Sequence, residues 1–362
     1  MDVHPSTGSY ANPIPAQIVP PQQNRPRTSG FVKFLLFLLI AGLAASVLLN
    51  IALIGGAAMS GVDSENRVRE RHFSHARWGS QKIAIIDVEG TILDGEGFFK
   101  RQIDHARREA EKGVLKAIVL RVNSPGGTVS GSDYMYHHLT RLREETGIPV
   151  VVSMGGIAAS GGYYISMAVG DKPQTIYAEP TTFTGSIGVI IPHYDLSGLL
   201  EEVGVREDSI TSHPLKGMGS LSRPMTPEER TIFKGLVDDG FDRFKEVIQT
   251  GRPNFAKDAA ALDAVATGQV YAADEAKELG LVDEIGYLED AVERAIELAA
   301  IDPEDTSVVR YKPELGLLDV LMGAQARQAG GFDLKALLDL SSPRAFYLCT
   351  RLPALLTTDR LK

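Results

Sequence analysis

Residues 148–166 read IPVVVSMGGIAASGGYYIS, and this stretch decides the fold. A β-branched apolar run leads into two glycines and then to a single serine, Ser160, which two more glycines and two tyrosines follow. We interpret IPVVVSMGG as a strand and the residues from Ala158 onward as a helix that begins around Ser160. In an α/β protein this arrangement places the serine at the carboxyl end of a strand, where ligands bind.

The same order of strand, turn and helix recurs on both sides of this stretch. Strand patterns occupy 82–92, 115–124, 174–180 and 185–192, and helix patterns occupy 98–113, 130–146, 226–252 and two segments within 272–300. Threonine and two glutamates at the start of the long helix form a capping signal. This alternation predicts an α/β domain with mostly parallel strands.

Composition limits the partners and the redox chemistry of the chain. It has 362 residues, enough for one main domain with appendages, and a net charge of −9 that argues against a nucleic-acid partner. Its one cysteine, Cys349, cannot form a disulfide within the chain.

The chain divides by composition into five parts. We predict a disordered Pro/Gln-rich tail (1–30), a transmembrane anchor (31–59), a polar linker (60–80), a catalytic-type α/β domain (81–300) and a C-terminal extension (301–362). Residues 34–59 carry no charge and are long enough to cross a bilayer core of roughly 30 Å. A cleaved signal peptide is the alternative, and the nearly balanced flanking charges do not decide the orientation.

Two glycine turns at strand ends suggest an anion-stabilising site beside Ser160. The Pro-Gly-Gly turn at 125–127 can expose successive backbone amides, and a serine at a helix start can point its own amide the same way. The plain alternative is that Ser160 only caps a helix. The phosphate-loop pattern is absent, and Ala158 breaks the G-x-S-x-G pattern of α/β-hydrolases.

A nucleophilic serine needs a base, and three side chains outside the predicted helices remain as candidates. They are His193 in IPHYD, His213 in TSHPLKG and Lys216 in the same glycine-rich loop. An amine can serve as a base where burial favours its neutral form. A solvated surface lysine is the alternative for Lys216.

Five strings, taken together, resemble the bacterial signal peptide peptidase A family, which consists of membrane-anchored Ser–Lys proteases with a ClpP/crotonase-like fold of repeated β-β-α units. The strings are RVNSPGG (121–127), MGGIAASGGYYIS (154–166), TGSIGVI (184–190), LKGMGSLSRPMTPEER (215–230) and GQVYAADEAKELGLVDEIG (268–286). They lie in order between residues 82 and 298, each occurs once, and the chain therefore looks like the short form of the family. The tail and the stretch after residue 302 fall outside the resemblance.

The resemblance implies specific roles. Ser160 would be the nucleophile, Lys216 the general base, and Ser186 the hydroxyl that orients the lysine amine. The backbone amides of Gly127 and Ser160 would form the oxyanion hole, and neither a metal nor a cofactor would be needed. An inactive scaffold of the same fold and a crotonase-type acyl-CoA enzyme are the alternatives.

The resemblance also implies a setting for the reaction. The substrates would be released signal peptides or other unfolded apolar peptides at the bacterial cytoplasmic membrane, with residues 31–59 in the lipid bilayer as a single span. The catalytic domain would lie outside the cytoplasm, and the chain would form a ring-like or dome-like homo-oligomer. For the C-terminal extension, packing on the core, a subunit contact and a membrane contact all remain open.

Overall fold

The computed structural model describes residues 30–64, 68–314 and 345–348. The predicted tail and most of the C-terminal extension lie outside these residues. The chain divides into two compact units, residues 1–58 and 59–362.

Helix α1 (Gly30–Ser64) begins in the first unit and is longer than the predicted anchor. Within the described residues it is the one helix that is long and apolar enough to cross a membrane. Its candidate span is Gly30–Ala52, with a mean hydropathy of 2.6.

The second unit is built on a mixed sheet of nine strands. The main path runs β1-β10-β2-β3-β5-β6-β9, while β7 pairs with β5 and β8 pairs with β7. The strands are β1 (Val68–His75), β2 (Gln81–Glu89), β3 (Leu115–Ser124), β5 (Val150–Ala159), β6 (Ile176–Ala178), β7 (Phe183–Gly185), β8 (Val270–Ala272), β9 (Glu284–Ile285) and β10 (Thr306–Pro313); β4 (Gly126–Thr128) and β11 (Phe346–Leu348) form a separate pair.

Helices cover both faces of this sheet. The helices of this unit are α2 (Gly97–Glu111), α3 (Val129–Thr146), α4 (Gly161–Ser166), α5 (Ser197–Glu202), α6 (Pro227–Gly251), α7 (Pro253–Lys257), α8 (Ala259–Val265), α9 (Ala273–Glu278) and α10 (Leu288–Ala299), of which α5 buries none of its residues. Alternate residues of β2 enter opposite cores: Ile86 packs in the cluster with α2 and α3, and Ile85 packs in the cluster with α10. Such alternation is what a strand buried on both faces requires.

The predicted fold class is confirmed. All neighbours in the central sheet are parallel apart from the pairs β1–β10 and β7–β8. β3, β4 and α3 follow one another as a β-β-α unit. The long helix begins at a complete capping box, in which Thr226 and Glu229 each bond the other's backbone amide.

The sheet extends beyond 81–300 on both sides. Residues 68–75, within the predicted linker, form the edge strand β1, and residues 306–313, within the predicted extension, form β10. β10 then pairs in parallel with β2. The sequence of β1, VRERHFSH, is rich in charged residues and was therefore predicted as a linker. An edge strand that exposes one face to solvent carries such polar side chains.

Two predicted elements have different bounds in the structure. The helix expected from Ala158 begins at Gly161, because Ala158 and Ala159 pair with β7 and extend β5. The strand expected over 185–192 is reduced to β7, which ends at Gly185, and a single bridge at Ile190.

Candidate active site

Ser160 occupies the sharp turn between β5 and α4. It is 1% exposed, and its backbone has φ 53° and ψ −114°. A non-glycine residue with positive φ is uncommon and strained, and such residues cluster at functional sites. Its Oγ is buried and has no hydrogen-bond partner among the described residues. Leaving a buried hydroxyl unpaired costs stability, so the position favours a chemical role over simple capping.

Ser186 lies on the neighbouring turn, directly after β7. The Ser160 amide donates to the carbonyl oxygen of Gly185 at 2.8 Å, and the Ser186 amide donates to Gln269 at 2.6 Å. Ser186 is also buried and also has positive φ, at 50°. The fold therefore brings these two predicted site residues onto adjacent, fixed turns.

The backbone of the Gly126–Gly127 turn packs directly against the backbone at the start of α4, so closely that only glycine fits. A β-carbon on Gly126 would lie 2.6 Å from the Gly161 amide nitrogen, and one on Gly127 would lie 1.8 Å from the carbonyl oxygen of Ile92. One on Gly161 would lie 3.2 Å from the Gly127 amide nitrogen. The amides of Gly127 and Gly161 therefore lie beside each other, next to Ser160.

The Ser160 amide already has an acceptor, the Gly185 carbonyl. Gly161 is the first residue of α4, and a first-turn amide has no acceptor within its own helix. As an oxyanion donor, the Ser160 amide would have to leave Gly185, whereas the Gly161 amide needs no such change.

Lys216 is exposed and lies on a short 3₁₀ helix, Pro214–Gly217. Since Ser160 Oγ has no partner within the described residues, the Lys216 amine is not hydrogen-bonded to it in this structure. The structure thus brings Ser160, Ser186 and Gly127 together but does not bring Lys216 into contact with the serine. Hydrogen bonds of a catalytic pair are often loose or unmade before substrate binds.

The loop that carries Lys216 is anchored by an arginine that the sequence analysis did not single out. Arg223 donates to the Gly217 carbonyl at 3.0 Å and to Glu229 Oε2 at 3.1 Å. Glu229, 2% exposed, completes the capping box of α6 with the N-cap residue Thr226, and the Arg223 hydrogen bond is the main cause of its lowered pKa. The signal was present in SRPMTPEER, where an arginine precedes a capping box.

Both remaining histidine candidates have structural partners. His213 Nδ1 accepts from the Leu215 amide at 3.2 Å, which caps the 3₁₀ helix of Lys216. His193 Nε2 lies 3.2 Å from the Ser220 carbonyl oxygen. Neither ring is the partner of Ser160 Oγ, which has none in the described part of the chain.

A family comparison matches the central part of the chain. Residues 143–302 match the model of "Peptidase family S49". The chain is 37% identical over 247 residues to the "Putative protease slr0021" of Synechocystis sp., covering 68% of this chain and 85% of that one.

Two further relatives carry protease names. The "Putative signal peptide peptidase SppA" of Enterococcus faecium is 36% identical over 64% of this chain and 67% of its own length. The "Protease 4" of Salmonella typhi is 36% identical over 66% of this chain, but this chain spans only 38% of that longer protein. From these matches, the chain belongs to peptidase family S49.

Proposed function

We propose that this protein is a membrane-anchored serine endopeptidase that cleaves unfolded apolar peptides, with Ser160 as nucleophile and Lys216 as general base. The observation that carries the proposal is the Ser160 hydroxyl, which is buried, unpartnered among the described residues and held at a strained backbone position. Membership of family S49 and the protease names of its relatives support peptide hydrolysis.

The chemistry follows from the groups around Ser160. Its Oγ attacks the scissile carbonyl carbon, and its proton passes to the Lys216 amine, which Ser186 orients. The oxyanion is held by the amide of Gly127, together with that of Gly161 in place of the Ser160 amide. The lysine returns its proton to the leaving amine as the C–N bond breaks. Water then attacks the acyl-serine ester and regenerates the hydroxyl.

The lysine must approach the serine for this reaction. An exposed amine on a short 3₁₀ helix can move with its loop, whereas Ser160 is fixed between β5 and α4. We propose that substrate binding or subunit assembly brings the Lys216 amine to within roughly 3 Å of Ser160 Oγ.

Paired alanine variants of the detergent-solubilised protein test the dyad. We expect Ser160→Ala and Lys216→Ala each to lower kcat for an unfolded peptide by roughly 10³-fold or more. Ser166→Ala, another buried serine near the same helix, and Lys257→Ala, another exposed lysine, are the matched controls and should keep their activity. Undiminished turnover by either dyad variant would refute that residue's role.

The same variants separate the two alternatives. A crotonase-type enzyme would turn over an acyl-CoA thioester even as Ser160→Ala. An inactive scaffold would cleave no peptide in any variant, including the unsubstituted protein.

We further propose that α1 anchors the protein in the cytoplasmic membrane with the protease unit outside the cytoplasm. The candidate span Gly30–Ala52 supports the anchor by length and hydropathy. Released signal peptides would be natural substrates there, in keeping with the name of the Enterococcus relative. Resistance to alkaline extraction tests the anchor, and digestion of the unit by a protease added to spheroplasts tests the orientation.

Self-assembly is the last part of the proposal. The segment 194–210 exposes an unusual run of large apolar side chains: Tyr194, Leu196, Leu199, Val203, Val205 and Ile210. Exposed apolar clusters of this kind mark interaction surfaces, and this one precedes the loop of Lys216. A contact between copies of the chain would cover it.

A further inference from the structure

Two neighbouring strands, β1 and β10, place four cations on one face of the sheet. In their antiparallel register Arg69 lies opposite Lys312, and Arg71 lies opposite Arg310. Directly opposite residues of an antiparallel pair share a face, and so do residues two positions apart along one strand. All four side chains therefore lie on the same face of the sheet.

This part of the face is open to solvent. Val308, two residues before Arg310 on β10, is buried in the cluster with α10. Beyond it, the side chains of Arg310 and Lys312 are 26% and 35% exposed. Arg69 and Arg71, on the edge strand, are exposed. The four cations therefore form an accessible surface, which we call the basic patch.

The basic patch carries more positive charge than its neighbours neutralise. Asp87 contacts Lys312 at 2.9 Å and Arg310 at 3.7 Å, and within the described residues it is the only carboxylate that forms an ion pair with the patch. Arg69 and Arg71 have no ion-pair partner in the part of the chain that the structure describes. The chain as a whole has a net charge of −9, so this positive excess is local.

Such an arrangement costs stability in water, because like charges directly opposite each other across an antiparallel pair repel. Protection of a sheet edge accounts for the charges on β1, which is the edge strand. It does not account for Arg310 and Lys312 on β10, which has a paired strand on both sides. An anionic partner accounts for both strands, because it is attracted by all four cations.

The position of the basic patch in the chain favours a lipid surface as that partner. Arg69 follows Ser64, the last residue of α1, by five positions. Five residues of extended chain reach at most about 18 Å, so the proposed anchor limits how far β1 can move from the bilayer. Clusters of Lys and Arg close to a membrane-spanning helix bind anionic headgroups.

An exposed tryptophan after the same strand fits the same partner. Trp78 is 90% exposed, and the Arg77 guanidinium lies 6.0 Å from the centre of its ring. The turn that carries both residues is held by Ser80, whose amide donates to Asp305 Oδ1 at 2.9 Å. Tryptophan is enriched at membrane–water interfaces, because its ring is apolar and its N–H group is polar. A fixed turn thus presents an indole and a guanidinium where a headgroup region can receive both.

We propose that the basic patch docks the protease unit on the anionic phospholipid headgroups of the bilayer that α1 spans, with Trp78 at the membrane–water interface. Arg69 and Arg71 bind the lipid phosphates, and Arg310 and Lys312 add to the attraction from the neighbouring strand. The inference rests on the proposed anchor and is independent of the Ser160–Lys216 chemistry.

Energy transfer from Trp78 to a dansyl-labelled lipid headgroup measures the docking. Trp78 is the only tryptophan of the chain, so the full-length protein needs no further label. It is reconstituted in vesicles of phosphatidylcholine, with or without phosphatidylglycerol, that carry the same trace of dansyl lipid. We expect transfer to be about twofold higher or more with phosphatidylglycerol. The excess should be lost at roughly 1 M salt, where the Debye length falls to about 3 Å.

A paired variant, Arg69→Gln/Arg71→Gln, removes the two cations that have no ion-pair partner. It should lower the ratio of docked to undocked protein about 10-fold or more at the same phosphatidylglycerol content, because each basic side chain near an anionic surface adds to the attraction. Arg206→Gln/Arg230→Gln, which removes the same charge from two exposed positions elsewhere in the unit, is the matched control and should dock normally.

A single variant, Arg71→Glu, separates lipid binding from a structural role. It places a carboxylate opposite Arg310, so the melting temperature in neutral detergent should rise while the lipid-dependent transfer falls. If these charges served only the stability of the sheet edge, the melting temperature alone would change.

Equal transfer in the two lipid compositions, or an unchanged response in Arg69→Gln/Arg71→Gln, would overturn the proposal. A response that follows the number of protein copies per vesicle instead of the lipid charge would assign the patch to a second copy of the chain and would also overturn it. Alkaline extraction of the same vesicles tests the anchor separately. Release of the protein there refutes the anchor, while the dependence of transfer on lipid charge still decides the docking.

Discussion

The Ser160 amide donates a 2.8 Å hydrogen bond to the carbonyl oxygen of Gly185. This bond joins the turn of the candidate nucleophile to the turn of Ser186, and both serines have positive φ. The two turns therefore form one rigid unit, and Lys216 is the member of the proposed site that has to move. That division determines which variants should affect stability and which should affect turnover.

The unpartnered hydroxyl of Ser160 is expected to destabilise the folded protein. Ser160→Ala should stabilise the protein by about 1 kcal/mol, because it removes a buried hydroxyl that has no acceptor or donor among the described residues. Ser166→Ala is the control: its Oγ donates to the Gly162 carbonyl at 2.8 Å, so its loss should not stabilise. Melting temperatures in detergent measure both. A lower melting temperature for Ser160→Ala than for the unsubstituted protein would contradict this explanation.

The strained backbone of Ser160 is also expected to destabilise the folded protein. At φ 53° and ψ −114°, Ser160 adopts a conformation that glycine reaches more easily. Ser160→Gly should therefore be more stable than Ser160→Ala by about 1 kcal/mol, even though both lack the hydroxyl. The comparison uses the two melting curves, and equal or reversed stability would show that the turn is not strained.

Arg223 should act as a positioning residue for Lys216. Arg223→Ala releases the Gly217 carbonyl and removes the cation that pairs with the Glu229 carboxylate, so we expect kcat to fall roughly 10-fold with KM little changed. Arg223→Lys should restore stability, because it keeps the charge beside Glu229, but should restore kcat only partly, because one ammonium cannot reproduce the two-armed contact. Arg230→Ala, an exposed arginine on α6, is the control. A pure loss of stability with unchanged kcat would remove the positioning role.

The edge of the sheet predicts a pH dependence of stability. Glu70 on β1 contacts His105 at 3.0 Å and Lys82 at 2.7 Å, and these contacts hold its pKa below the usual value of about 4.3 against the opposing effect of burial. A lowered carboxylate pKa stabilises the folded protein above the unfolded pKa, and this contribution is lost as the pH falls through the folded pKa.

The melting temperature should therefore fall on acidification below about pH 4.5, and Glu70→Gln should flatten this part of the profile. Glu111→Gln, at an exposed helix position, is the control and should keep the slope. An identical acid slope in Glu70→Gln would show that this cluster does not link β1 to the sheet energetically.

The apolar segment 194–210 predicts self-association. Leu199→Asp and Ile210→Asp place a charge on side chains that are 57% and 101% exposed, so the fold should tolerate them while a contact between copies should not. Light scattering of the detergent-solubilised protein should show smaller assemblies than those of the control Leu93→Asp. Unchanged assembly size in both variants would exclude this segment from the contact.

Sequence patterns predicted the helices and strands whose bounds depend on neighbouring residues. β3 and the helix after it, α3, were predicted to within one residue, and the capping box at Thr226 is complete. β1 and β10 were not predicted, because their pairing joins segments more than 200 residues apart and leaves polar side chains on the edge. Pairing between distant segments leaves little trace in either string.

The same distinction between local sequence and long-range contacts applies to the candidate site. Ser160 and the glycine turn were recognisable, because each sits in an unusual local string. Two contacts could not be predicted from the sequence: the hydrogen bond from the Ser160 amide to the Gly185 carbonyl and the stacking of the Tyr347 ring on Tyr164. Both depend on how separate segments of the chain pack together. Arg223 lay within a quoted motif, but its contact with Gly217 required the fold of the loop.

The most direct test of the central claim is to trap the acyl-enzyme. The detergent-solubilised protein is mixed with the p-nitrophenyl ester of N-acetyl-tyrosine, quenched in acid within the initial burst and mapped by peptide mass spectrometry. We predict one N-acetyl-tyrosyl adduct, on Ser160, which is absent from Ser160→Ala. Ester turnover with the adduct on another residue, or an equal burst from Ser160→Ala, would contradict the account.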